Sequence, residues 1–200
     1  MRKIAICRGR RLRRPTKQRF LESLGTPIGR PYVYGGKIMA DVVLICGRIC
    51  SGKSFYAKNL AEKMSAVTLS CDEVSADIFH HSEGENFDTI AADIKRYLHK
   101  IAARIVKAGG KVVLDWGFWT KSERREVSEY YAGLGISFEW HYISIPADEW
   151  QRNIELRNAS VLAGETTDFY VDDGLMQKLL DRFEDPERDE IDVWHEFKRL

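Results

Sequence analysis

Gly47-Arg48-Ile49-Cys50-Ser51-Gly52-Lys53-Ser54 spells GxxxxGK[ST]. It lies between an apolar run, Asp41 to Cys46 (DVVLIC), and a stretch of helical character, Phe55 to Met64. A strand, a glycine-bearing turn and a helix in that order make a phosphate-binding loop. The chemistry requires these residue types. Gly47 and Gly52 allow backbone angles that turn successive N–H groups inward, and the helix that follows adds the positive end of its dipole. Lys53 can reach the outer phosphates, and the Ser54 hydroxyl can ligate Mg²⁺. Each amide-to-phosphate bond is charge-assisted and contributes on the order of 1.5–3 kcal/mol, so several together hold a triphosphate. The eight residues from Gly47 to Ser54 are therefore the candidate nucleotide contacts.

Outward from the loop, the composition limits the alternatives. The chain has 200 residues, 44% of them hydrophobic, which suffices for one real core. No apolar run approaches membrane-spanning length, so a soluble protein with no membrane partner is expected. Four cysteines (Cys7, Cys46, Cys50, Cys71) form no CxxC pair, which argues against a zinc or disulfide framework and suits a reducing cytoplasm.

The net charge of +1 conceals a division. Residues 1–38 carry 11 Lys and Arg against the single acid Glu22, leaving the remainder of the chain strongly acidic on balance. This basic stretch holds three prolines and no sustained periodicity, so little packed structure is expected in it. Four readings fit: a nucleic-acid arm using Arg8, Arg10, Arg11, Arg13 and Arg14, a transit peptide, a solvated tail, or a segment upstream of a true start at Met39. The last is preferred, because codons for Gly35-Gly36-Lys37 can spell a purine-rich ribosome-binding sequence just before the Met39 codon if the source is bacterial. The expected organisation is thus an extension over residues 1–38 and one domain over residues 39–200.

From Met39 onward, apolar runs alternate with helix-period segments, the pattern of a parallel sheet covered by helices on both faces. Strands are expected at Asp41–Cys46, Ala66–Ser70, Lys111–Trp116, Ser137–Ser144 and near Ile191–Trp194. Helices are expected at Lys53–Met64, Phe87–Ala108, Ser122–Leu134, Pro146–Asn158 and Val171–Phe183, with a polar lid over Ala159–Asp168.

Ligands of such sheets bind beyond the carboxyl ends of the strands. The second strand is followed by Asp72 and the third ends at Asp115. An acid closing a buried apolar strand needs a partner, and Mg²⁺ is a natural one, so Ser54 and Asp115 form the candidate metal pair. Asp72 falls where an acceptor hydroxyl could sit and is the candidate proton acceptor; its alternative role is to cap a helix over Glu73–Phe79. Arg152 and Arg157 on the fourth long helix are candidates to neutralise a transferred phosphoryl group, with surface ion pairing as the alternative. On a regular helix they lie about 140° apart, which favours Arg157. Arg124 and Arg125 are weaker candidates, with a solvated helix face as the alternative. Trp116, Phe118 and Trp119 read as core or pocket wall, and the adjacent His80 and His81 lack metal-ligand spacing.

With these residues in place the chain resembles the predicted small P-loop kinases often labelled AAA-family ATPases or zeta-toxin-like proteins, relatives of chloramphenicol phosphotransferase and polynucleotide kinase. The similarity covers residues 41–190. Besides the loop it is carried by Leu69-Ser70-Cys71-Asp72-Glu73, by Leu114-Asp115-Trp116-Gly117-Phe118-Trp119 with Arg124-Arg125, by RNIELRN from Arg152 to Asn158, and by Phe183-Glu184-Asp185-Pro186 with Asp189-Glu190. The resemblance implies a P-loop NTPase three-layer α/β sandwich with a five-stranded parallel sheet and a helical lid. It also implies ATP with Mg²⁺, a base near Asp72, and lid arginines near Arg152 and Arg157.

The leading functional expectation is an ATP-dependent kinase acting on the hydroxyl of a small molecule, with Asp72, Lys53, Arg157 and Arg152 as the catalytic set. The alternatives are a polynucleotide 5′-hydroxyl kinase, which the acidic body disfavours, and a nucleotide-binding regulator or slow ATPase. No NKxD segment for reading guanine is present. Cys50, close to Lys53 and to a helix N-terminus, is expected to favour its thiolate and to lose ATP binding on oxidation.

Overall fold

The computed structural model describes residues 40–79, 86–166 and 168–196, together with the backbone pairing of two short strands, β1 (Val33–Tyr34) and β2 (Lys37–Ile38), which run antiparallel. That pair is the described part of the basic extension; the arginine cluster, Cys7, Met39, His80 and His81 lie outside the described residues.

Five further strands form one sheet: β3 (Val42–Cys46), β4 (Val67–Ser70), β5 (Val112–Asp115), β6 (Phe138–Ser144) and β7 (Val193–Glu196), in the order β4-β5-β3-β6-β7. Every pairing is parallel. The central strand β3 is buried at all five positions, which explains why it reads as an unbroken apolar run: both of its faces are covered.

The helices are α1 (Lys53–Met64), the single turn α2 (Cys71–Val74), α3 (Phe87–Lys107), α4 (Lys121–Gly133), α5 (Ala147–Leu162) and α6 (Asp173–Arg182), and a wide π turn spans Ser75–Phe79 after α2. Their ends follow local chemistry. Thr120 caps α4 by accepting from Glu123 N, and the Glu123 carboxylate reaches back to Trp119 N, a near capping box. Asp172 caps α6 through Leu175 N at 2.7 Å. Helix α5 runs four residues beyond the expected Asn158, because Ala159 to Leu162 contain no breaker and the chain turns only at Gly164, φ 69°. Part of the expected lid is therefore helix.

Alternate residues of the sheet feed two layers of core. On one face Val43, Ile45, Val113 and Ile143 pack on Ala57, Leu60, Ala61 and Met64, spaced i, i+3, i+4, i+7 along α1. On the other, Leu44, Leu114, Trp140 and Tyr142 meet Ile94 and Leu98 of α3 and Val127 and Tyr131 of α4. Each such side chain, fully buried, stabilises the fold by roughly 1.5–3 kcal/mol. The result is the three-layer sandwich of a P-loop NTPase, with the carboxyl ends of β3, β4 and β5 opening on one side of the sheet. No helix among the described residues is long and apolar enough to cross a membrane.

Candidate active site

The loop after β3 has the conformation its glycines permit. Gly47 (φ 152°) and Gly52 (φ 87°) both take positive φ, and a Cβ at Gly47 would stand 2.8 Å from the Ile143 carbonyl oxygen and 3.0 Å from Ser51 Oγ. Only glycine fits there. Ser51 is fully buried, and its hydroxyl has no hydrogen-bond partner among the described residues. Lys53 Nζ bends back to donate to Arg48 O at 2.7 Å, which holds the ammonium over the turn.

Four sequence-predicted residues come together beside this loop. The Ser54 side chain stands beside the Asp115 carboxylate at the end of β5. Burial pushes Asp115 above the usual carboxylate range, with Ser54 and Lys53 pulling the other way and Asp72 pushing up. Burial in turn pulls the Lys53 ammonium down, while the Asp115 and Asp72 charges push it up. One lysine is thus in electrostatic reach of both carboxylates. Asp115 is 6% exposed, a position where a carboxylate charge calls for a cation, and it stands beside a hydroxyl oxygen of the kind hard cations prefer.

Asp72 is exposed at the start of α2. Its alternative role as a helix cap does not hold: Ser70 is the N-cap, its Oγ accepting from Glu73 N at 3.3 Å. Freed from capping, Asp72 lines a small open cleft with Ser75, Phe87, Ala91, Ile94 and Phe169. Phe87 and Phe169 meet edge to face with centroids 6.5 Å apart, so aromatic surface walls the space next to the carboxylate.

The two lid arginines part company. Arg157 points at the loop: its Nε donates to Phe169 O at 3.1 Å, one guanidinium nitrogen lies 3.9 Å from Cys50 Sγ, and another lies 3.5 Å from Asp168. Arg152 lies on the exposed face of α5 and pairs with Glu149 at 3.2 Å, the surface ion pair that was the alternative reading. The 140° between them on an unbroken helix produces this separation.

Other expectations are corrected by burial. Arg124 is not on a solvated face; it is 2% exposed and bonds Glu190 (2.8 Å), Phe118 O (3.1 Å) and Glu184 O (3.0 Å), tying the β5 loop to the segment before β7. Arg125 does face solvent and pairs with Glu129. The Cys50 thiol is pushed up by burial, with Arg157 and Lys53 only partly opposing, so the expected thiolate is not favoured. Burial also pushes Cys46 and Cys71 up to about 12. Trp116 and Phe118 are core, while Trp119 folds over Gly117, where a Cβ would stand 1.6 Å from its indole nitrogen. Arg48 sends its side chain away from the loop to Asp185 at 2.7 Å, so what it can offer a nucleotide is its backbone.

Sequence reasoning missed Trp150, Asn153, Phe87 and Phe169. Trp150 and Asn153 share a helical face with Arg157, at i, i+3 and i+7, a spacing that was there to be read.

A family model for an AAA domain matches residues 42–186. The chain is 31% identical over 154 residues to the Protein KTI12 homolog of Arabidopsis thaliana, an alignment covering 74% of this chain and 48% of that protein. It therefore spans about half the length of this curated relative. Among solved structures, the Mycobacterium tuberculosis APS kinase CysC in complex with AMPPNP and APS is 21% identical, with a TM-score of 0.58 over 81% of this chain and 91% of that one. A gluconokinase from Sinorhizobium meliloti 1021 is 17% identical, with a TM-score of 0.59 over 81% and 85%. At these identities the structural likeness establishes a P-loop kinase-like fold.

Proposed function

The chain belongs to the AAA-domain family, and from that premise we propose that it is an ATP-dependent phosphotransferase that moves the γ-phosphate to a hydroxyl of a small molecule. The observation that carries this reading is the convergence of Lys53, the Ser54–Asp115 pair and an uncapped, exposed Asp72 at the mouth of an aromatic-walled cleft. Kinase-like neighbours of the fold support it.

The roles follow from the geometry. Backbone N–H groups of the loop and the α1 N-terminus would hold the phosphates, and the buried unpartnered Ser51 hydroxyl and the Gly47 cradle fit such an occupant. Ser54 and Asp115 would hold Mg²⁺, which supplies charge neutralisation between phosphate oxygens when bound. Lys53 exchanges its bond to Arg48 O for one to a phosphate oxygen. Asp72 orients the acceptor hydroxyl and takes its proton as the new oxygen–phosphorus bond forms and the bond to the β-phosphate oxygen breaks, releasing ADP. Arg157, next to the loop, stabilises charge on the transferred group; Arg152 has no part in this.

The test uses purified protein, Mg²⁺ and γ-labelled ATP against sugars, nucleosides, aminoglycosides and a 5′-hydroxyl oligonucleotide. Label moving to a small alcohol, lost by at least about a hundredfold in Asp72→Asn while ATP affinity stays within about twofold, is the expected outcome. ATP consumption indifferent to every acceptor would point to a regulator or slow ATPase. Label on the oligonucleotide alone would point to a polynucleotide kinase.

A further inference from the structure

The outer turn of the phosphate loop is gripped from outside by one helical face. Trp150 Nε1 donates to Ile49 O at 2.7 Å and Asn153 Nδ2 donates to Cys50 O at 2.9 Å, while Arg157 approaches Cys50 Sγ. The three side chains stand at i, i+3 and i+7 on α5, so a single face of that helix supplies all of them. Asp185 accepts from Arg48 at 2.7 Å and from Tyr142 Oη at 2.9 Å, which fixes the start of the same turn.

These contacts bear on backbone direction. In a trans peptide the carbonyl and the N–H that follows it point opposite ways. A donor on the Ile49 carbonyl therefore turns Cys50 N–H to the side away from α5, and a donor on the Cys50 carbonyl sets the direction of Ser51 N–H, which closes the turn on Arg48 O at 3.3 Å. Cys50 also occupies the left-handed region at φ 57°, which a residue with a Cβ rarely adopts and which persists only where its surroundings over-determine it. Asn153 on its carbonyl and Trp150 on the carbonyl before it supply that constraint.

We propose that Trp150 and Asn153 are positioning residues for the nucleotide: they hold the Ile49 and Cys50 peptide groups in the closed turn, Ser51 N–H on Arg48 O, that leaves Cys50 N–H directed at a phosphate. This rests on the reading of the loop as an ATP site. Neither residue touches the phosphates; both act through the loop backbone. Helix α5 thereby joins the nucleotide loop to the acceptor cleft, because the same helix holds Phe169 O through Arg157 and Val171 through Asn158, whose Nδ2 donates to Val171 O and whose Oδ1 accepts from Val171 N, both at 2.8 Å.

The test is titration calorimetry of ATP with Mg²⁺ into the full chain, its Trp150→Phe and Asn153→Leu variants, and a Gln151→Ala control on the exposed face of the same helix, with the thermal midpoint of each protein measured without nucleotide. Trp150→Phe keeps an aromatic side chain but removes the Nε1 donor together with the pyrrole ring, which is why the thermal midpoint is read beside the affinity. The expected result is an ATP dissociation constant raised about five- to tenfold in each of the two variants and unchanged in the control. The midpoints should move by no more than about 4 °C, a shift of the size a single lost hydrogen bond produces. ATP bound by the variants as by the unaltered chain would overturn the positioning role while leaving the site intact. A large fall in midpoint without a change in affinity would make the two residues scaffold only, and would overturn it as well. If the unaltered chain bound no ATP, the reading of the loop itself would fail and this role with it.

Discussion

The phosphate loop and the cleft beside Asp72 stand within electrostatic reach of the same lysine, yet they are held in opposite ways. The loop is made of backbone, and its outward carbonyls and first side chain are each taken by a partner: Trp150, Asn153 and Asp185. Behind it Arg124 fastens the β5 loop to the segment before β7 from within the protein. The cleft is made of side chains on α2, the π turn, α3 and the irregular segment after α5, and its aromatic walls Phe87 and Phe169 are 41% and 37% exposed. On the proposed function, a triphosphate can be met by fixed amides, whereas an acceptor would be met by exposed side chains that can be exchanged without disturbing the sheet.

That contrast predicts unequal costs of truncation. Arg124→Met removes a buried guanidinium and strands Glu190 together with the carbonyls of Phe118 and Glu184. Breaking one side of such a pair costs about 3–5 kcal/mol, which urea denaturation would read as a lower midpoint at unchanged slope. Phe169→Ala, at the open end, should cost under about 1 kcal/mol by the same measurement. Equal losses would break the comparison.

The inner face of α3 sharpens it further, because that helix is exposed where it walls the cleft and buried only deeper in. His99 accepts or donates at 2.9 Å to Tyr131 Oη, with its ring 5.2 Å from Trp116. Burial pulls its pKa down to about 4, with Lys95 adding to the effect. In the unfolded chain it titrates at about 6.5. Between these values the unfolded state binds the extra proton, so stability is complete above about pH 6.5 and is lost as pH falls toward 4, by roughly 3 kcal/mol at most. Urea midpoints measured across that window should fall in the unaltered chain and much less in His99→Phe; identical slopes in the two proteins would mean that His99 is not sheltered.

The sequence showed the nucleotide end nearly complete and the acceptor end only in outline, for the same physical reason. Phosphate binding needs glycine, lysine and serine at fixed spacing, so Gly47, Gly52, Lys53 and Ser54 announce themselves, and a both-faces-buried strand such as Val42–Cys46 is bound to read as a continuous apolar run. Asp115 was visible because it closes another such run. Phe87 and Phe169 were not, because an aromatic at the edge of a cleft carries the same local signal as one at the edge of a core, and only the tertiary structure brings residues 87 and 169 together. Arg124 misled for a related reason: a cation on an amphipathic helix reads as solvated until its partners, 60 and 66 residues away, are seen to fold over it. Cys50 misled because the helix dipole and Lys53 are evident from sequence, whereas the burial that outweighs them is not.

Arg157 tests whether the two ends are as separate as their construction suggests. It alone of the two lid arginines touches both, bonding the carbonyl of Phe169 at the cleft and standing over Cys50 at the loop while remaining only 21% exposed. Arg152, five residues earlier, is 56% exposed and paired within its own helix, and exposed pairs of that kind contribute about 0–1 kcal/mol. Arg157→Ala should therefore lower phosphoryl transfer by about tenfold or more, through kcat and the acceptor KM together, because it removes charge near the transferred group and loosens the Phe169 wall at the same time. Arg152→Ala should leave both constants within about twofold, and its small effect on stability should vanish in high salt, since a surface pair is screened there. If Arg157→Ala changed only the KM for ATP, the guanidinium would belong to the nucleotide end alone, and α5 would lose its place as the element common to both ends.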